Sequence, residues 1–101
     1  QYTRYYRLVY VYLKNHNESL LDQMAAVMAG KLRAVFGNRV LGPDKPPVAR
    51  IQTLFIKKIV VKIEQNAPMG RARELLLRIQ REMIEDERYK SLIVYYDVDP
   101  M

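Results

Sequence analysis

"LFIKKIVVKIE", residues 54–64, places Phe55, Ile59, Val61 and Ile63 on one side of an extended chain and Lys58 and Lys62 on the other. The run contains neither glycine nor proline and is rich in β-branched residues, which fit a pleated, half-buried surface. A long strand is therefore predicted, with one apolar face and one face carrying lysines.

Working upstream, residues 6–13 read as a second strand, with Val9, Val11 and Leu13 on one face and Leu8, Tyr10 and Tyr12 on the other. Asn17 is suited to cap a helix. Leu21, Met24, Met28, Leu32 and Val35 then recur at spacings of three and four up to Phe36, and Gly37 can supply a left-handed C-cap. A short strand over 39–41 follows. Downstream, Pro68 suits the first turn of a second helix whose apolar stripe is Ala72, Leu75, Leu76, Ile79 and Met83, ending before Tyr89. A last strand covers 92–98, and Pro100 stops its pairing.

The order β-α-β-β-α-β, with right-handed crossovers, predicts an α+β plait of the ferredoxin-like kind: a four-stranded antiparallel sheet with both helices on one face. In such a sheet the first and third strands are central and the last lies beside the first. The other sheet face is left open. On it the pattern places Tyr10, Tyr12, Lys58, Lys62 and Tyr95.

A chain of 101 residues, half of them hydrophobic, supports one core and one domain over 1–101. It opens on Gln1 rather than methionine, and so reads as an excised piece of a longer protein. It contains no cysteine, which excludes a disulfide framework or thiolate metal site, and it has no signal peptide or long apolar run. The expected setting is soluble and cytoplasmic, without a membrane partner. Seventeen Lys and Arg against eleven Asp and Glu, a net charge of +6, favour acidic partners.

Catalytic chemistry finds little support. The four glycines form no phosphate loop, His16 is the only histidine and sits in a turn, and Ser19 and Ser91 have no evident base. Glu85-Asp86-Glu87 are consecutive at a helix end and do not converge on one ion. No metal or cofactor is expected in this piece. Asp97 and Asp99 share a strand face and read as ligands of turn amides or arginines. The arginines of the second helix have intrahelical partners at hand, Glu74 for Arg78 and Glu85 for Arg81. The open-face tyrosines have two readings: a platform for single-stranded RNA bases, or a surface covered by another domain of the parent protein, which is favoured.

Between the second and third strands lies "VLGPDKPPVARIQ", residues 40–52. About a dozen residues stand where a two-residue turn would serve, and loops that long are usually functional or disordered. Pro43, Pro46 and Pro47 restrict their own φ and bias the preceding residues toward extended backbone. Lys45 and Arg50 are thus expected to project from a semi-rigid arm.

These residues also carry a resemblance. "VLGPDKPPVARI" with the basic strand after it, Asp97-Val98-Asp99-Pro100, and the entry from Tyr2 to Arg7-Leu8 resemble the C-terminal domain of the primosomal protein N′ (PriA) family of bacterial replication-restart helicases, over essentially the whole chain. Two departures stand out. Thr3 and Arg4 occupy positions where the family usually has prolines. Leu54-Phe55-Ile56-Lys57-Lys58 replaces alternating arginines and aromatics, with Leu54 at the arginine expected to grip a partner's terminal carboxylate and Lys58 as the substitute cation.

The resemblance implies a parent that is an ATP-dependent 3′ to 5′ DNA helicase, with ATP, magnesium and zinc bound outside this piece. It implies that this domain contributes to binding of forks, D-loops and single-stranded DNA, docks on the helicase core, and meets the acidic tail of single-stranded DNA-binding protein. Lys45 and Arg50, extended by Lys57, Lys58 and Lys62, are the expected contacts for phosphate or an acidic partner. The alternative is a protein-interaction module without direct DNA contact.

Overall fold

The computed structural model describes residues 6–100; the entry residues Tyr2, Thr3 and Arg4, and Met101, lie outside them. In chain order come β1 (Tyr6–Asn15), α1 (Glu18–Phe36), β2 (Val40–Asp44), β3 (Arg50–Ile51), β4 (Leu54–Glu64), α2 (Met69–Glu85) and β5 (Ile93–Val98). The antiparallel sheet runs β2-β4-β1-β5, and the short β3 pairs with β4. The plait is present, with β1 and β4 central as expected and one additional two-residue strand.

Register decides which side chains meet the helices. Tyr6 pairs with Glu64 and each following residue of β1 with the preceding one of β4, as far as Asn15 with Phe55. Val9, Val11 and Leu13 therefore share the inner face with Val61 and Ile59, all essentially without solvent exposure. Leu21, Met24, Met28 and Leu32 of α1 and Ala72, Leu76, Ile79 and Met83 of α2 close over them. Each fully buried leucine, valine or isoleucine contributes about 1.5–3 kcal/mol relative to exposure. Tyr89, from a 3-10 turn after α2, is also a core member.

The caps follow the sequence. Asn17 Oδ1 accepts from the Leu20 N–H at 3.0 Å, and Gly37 ends α1 with φ +67°, its N–H donating to the Arg33 carbonyl. Pro68 differs by one step: it is the N-cap of α2, in extended backbone, and supplies the carbonyl that accepts from Ala72.

The proline stretch is not the long projecting loop the sequence suggests. β2 continues to Asp44, which pairs with Lys58, and a bulge between Leu41 and Asp44 absorbs the irregularity. Gly42 stands at φ +98° before a cis peptide bond to Pro43, rather than in ordinary extended backbone. A Cβ there would lie 2.9 Å from the Lys58 carbonyl oxygen. Only residues 45–49 arch away from the sheet, with Pro46 buried. The chain then returns: Arg50 pairs with Phe55 and Ile51 with Leu54 around a tight turn in which Gln52 has φ +55°. Bulge and prolines blunt this sheet edge against unwanted strand pairing.

Candidate nucleic-acid and partner interface

The open sheet face carries the residues the alternation assigns to it. Tyr12 is opposite both Lys58 on β4 and Tyr95 on β5, and Tyr10 is opposite Asp97. The same parity adds Tyr6, Leu8, Lys14 and Val60. The Tyr12 and Tyr95 rings are stacked, with centroids 4.8 Å apart and planes within 15°, and Tyr10 meets Tyr12 edge-on at 6.2 Å. That stacking distance equals the spacing of neighbouring strands, about 4.8 Å, so both rings stand upright from the sheet. Lysines sit over the rings: Lys58 is 4.3 Å from the Tyr10 centroid, Lys14 4.6 Å from Tyr95 and Lys62 5.4 Å from Tyr6. Partial burial, then the neighbouring Tyr95 and Asp97, push the Tyr12 hydroxyl above its ordinary pKa.

The arm cations occupy a different place. Lys45, Arg50 and Lys57 line a cleft of about 180 Å³ with Glu18, Leu21 and Phe55, between the arch and the start of α1. Arg50 lies over the Phe55 ring at 5.0 Å and donates from Nε to the Gln52 carbonyl at 3.1 Å. Lys45 is exposed, in a loose 3.8 Å pair with Glu18. Lys57 does not extend the surface of Lys58 and Lys62. Adjacent strand residues point to opposite faces, so Lys57 turns toward α1, where Asp22 holds it at 3.1 Å with only 17% of its side chain exposed. The expected single basic surface is thus two surfaces. Leu54 pairs with Ile51 at the end of β4, and Lys58, proposed to replace a cation there, is engaged with Tyr10.

A third feature carries no signal in the sequence. Between the start of α2 and the β1–β5 pair runs an apolar groove of about 450 Å³, walled by Met69, Leu76, Leu77 and Tyr96, with Arg7 and Arg73 at its rim. Tyr96 donates its hydroxyl to Gln80 Oε1 at 2.7 Å, and burial pushes its pKa up to about 12. The expected helix pairs of Arg78 and Arg81 do not form: Glu74 turns to Arg71 at 3.7 Å, and Arg73, Arg78 and Arg81 make no ion pair among the described residues.

Asp97 and Asp99 do not share a strand face: β5 ends at Val98, Asp97 stands opposite Tyr10 on the open face, and Asp99 follows with φ +51°. Asp99 accepts from Arg7 Nε at 2.9 Å and from the Leu8 N–H at 3.2 Å, fastening the ends of β1 and β5. His16 Nδ1 lies 3.0 Å from Thr53 Oγ1 in an exposed turn. Asp86 is chelated by Arg88, whose hydrogen bonds lower its pKa to about 2. No cluster of three potential metal ligands occurs among the described residues, and no helix there is long and apolar enough to cross a membrane.

No family model and no curated protein matches the chain. Among solved structures it is similar to a de novo designed protein, Foldit4, with a TM-score of 0.65 over 95% of this chain and 98% of that one, at 11% sequence identity. At that identity the likeness is one of fold, and the fold it shows is the α+β plait of two helices on an antiparallel sheet.

Proposed function

We propose that the chain is a noncatalytic accessory domain of a replication-restart helicase of the PriA type, contacting forked or single-stranded DNA and docking on the helicase core. The observation that supports the DNA reading is the cleft at the sheet edge, lined by Lys45 and Arg50, with Lys57 in the same wall held by Asp22. Lys45 is held by Glu18 only at 3.8 Å and both are exposed, a geometry that contributes little stability and leaves the ammonium exchangeable. The bulge between Leu41 and Asp44 and the β3 return fix where the arch begins and ends. Pre-ordering of this kind lowers the entropic cost of binding.

The test is a titration of labelled forked DNA over a range of salt. Replacing Lys45 and Arg50 together by alanine weakens binding and flattens the salt dependence by about one to two phosphate contacts. Unchanged affinity and slope would remove the arch from the DNA interface.

A second reading, as a protein-interaction module, is favoured by the groove beneath α2. An acidic segment that also carries apolar side chains finds there an apolar wall with Arg73 at the rim, beside an Arg7 already paired with Asp99, and single-stranded DNA-binding protein is the proposed source. Binding of an acidic peptide but not of forked DNA would establish this reading in place of the first.

A further inference from the structure

The two edges of the sheet are built differently. At the β2 edge a bulge between Leu41 and Asp44, and Pro43 with no N–H to offer, interrupt the row of backbone groups. At the other edge β5 has no such device. Ile93–Val98, IVYYDV, runs in unbroken register with β1, contains no proline, glycine, lysine or arginine, and is β-branched or aromatic at every position but Asp97. Among the described residues no strand pairs with its outer side.

The ladder fixes which backbone groups that outer side presents. The Asp99 N–H donates to the Leu8 carbonyl at 2.7 Å, in step with the β1–β5 register. Hydrogen-bonded pairs alternate along an antiparallel ladder, so Ile93, Tyr95 and Asp97 direct their N–H and C=O groups at β1, and Val94, Tyr96 and Val98 direct theirs away from it. Such a row is a template for an extended strand.

β5 is complementary to itself in that role. Antiparallel pairing of two β5 strands about a two-fold axis at Tyr96 sets Val94 opposite the partner's Val98, an apolar pair on the helix-side face, and Tyr95 opposite the partner's Asp97 on the open face. Val94, Tyr96 and Val98 then each exchange both N–H···O bonds with the partner. Moving the axis to Asp97 sets two carboxylates against each other. Moving it to Tyr95 sets Val98 opposite the partner's Leu92, and the Leu92 N–H already donates to the Tyr89 carbonyl.

We infer that this chain self-associates through β5, two copies joining edge to edge about Tyr96 into one continuous antiparallel sheet. The occupant of the edge is a second copy, selected by the match of the strand to its own reverse. This goes beyond the function proposed above and does not depend on it.

The experiment follows mass by sedimentation equilibrium and amide hydrogen exchange by NMR for this chain from micromolar to millimolar concentration. On concentration the mass should double from 11.9 kDa and the amides of Val94, Tyr96 and Val98 should gain protection, while those of Tyr95 and Asp97, bonded to β1, stay protected throughout. Val98→Pro removes one outward donor from each copy and no bond to β1, and should weaken association roughly tenfold. The chain has no cysteine, so Tyr95→Cys mixed with Asp97→Cys gives a second test that does not depend on the proline variant folding. Under mild oxidation these two chains should form disulfides with each other in preference to their own kind. A mass that stays at 11.9 kDa at every concentration overturns the inference. Doubling without protection of the outward amides, or with like-to-like disulfides preferred, places the contact elsewhere and overturns it too. A monomer whose outward amides are protected only on adding an acidic apolar peptide assigns the edge to a foreign strand instead.

Discussion

Asn15 and Ser91, 76 positions apart, are joined by two hydrogen bonds from one amide: Asn15 Nδ2 donates to Ser91 Oγ at 3.0 Å and to the Ser91 carbonyl at 3.1 Å. The other end of the same side chain accepts from the Asn17 N–H at 2.9 Å. One 5% exposed asparagine thus fastens the end of β1, the cap of α1 and the approach to β5. Within a low-dielectric site, removing one member leaves the others unsatisfied.

Asn15→Ala is therefore expected to cost about 2 kcal/mol, lowering the unfolding midpoint by roughly 8–16 °C for a domain of this size. Ser91→Ala removes only the hydroxyl acceptor and should cost less than half as much. Thermal and urea unfolding of the two variants measure the difference. Equal, small effects would show that the amide does not hold the junction.

Glycines 42 and 30 should respond to the same substitution with opposite signs. At Gly42 an alanine must adopt φ +98° and set its Cβ 2.9 Å from the Lys58 carbonyl oxygen, a backbone atom. Strain of that kind costs on the order of 1–3 kcal/mol. Gly30 lies inside α1 with nothing within 4 Å of an added Cβ. There alanine should stabilise by about 0.5–1 kcal/mol through helix propensity. Denaturant midpoints moving in the same direction would contradict the backbone described for the bulge.

The contrast between these glycines shows where sequence patterning succeeds. Gly37 and Asn17 sit at the ends of a clear 3.6-residue period, so their caps were legible. The strand faces were equally legible, because Val9, Val11 and Leu13 keep one parity and Tyr10 and Tyr12 the other. Parity also separates Lys57 from Lys58, yet adjacent lysines invite a reading as one basic patch. The course of the 40–52 stretch is not legible in the sequence for a physical reason. Arg50–Ile51 is too short to alternate, and the bulge at Gly42–Pro43 depends on close approach to the β4 backbone rather than on any local periodicity. The groove beneath α2 joins residues from three elements, and no linear spacing announces it.

Alkaline pH should destabilise the protein through Tyr96. Its folded pKa is raised to about 12 by burial, above the ordinary value of 10. The unfolded state therefore releases the phenolic proton first. The stabilisation from the neutral, buried hydroxyl is complete below pH 10 and is lost as pH rises from 10 through 12. Tyr96→Phe should flatten that limb while leaving Gln80 Oε1 without its donor, lowering the plateau. Stability followed by fluorescence between pH 8 and 12 tests both effects. An unchanged alkaline slope in the variant would assign it to other tyrosines.

If the arch takes an anionic ligand, as proposed, Glu18 is the carboxylate that competes with it. It lies in the same cleft as Lys45, Arg50 and Lys57, and its 3.8 Å pair with Lys45 is exposed and weak. As a first-turn acid it favours α1 through the helix dipole by only about 0.3–1 kcal/mol. Glu18→Gln should therefore cost little stability and raise affinity for forked DNA several-fold at low salt, with the gain shrinking as salt screens the site. A double-mutant cycle with Lys45→Ala locates the effect. If the pair is the competitor, the gain disappears in the Lys45→Ala background. If the gain persists there in full, removing a negative charge acts through the overall field and not through Lys45. If Glu18→Gln binds DNA no better than the parent chain at any salt, phosphate does not enter this cleft.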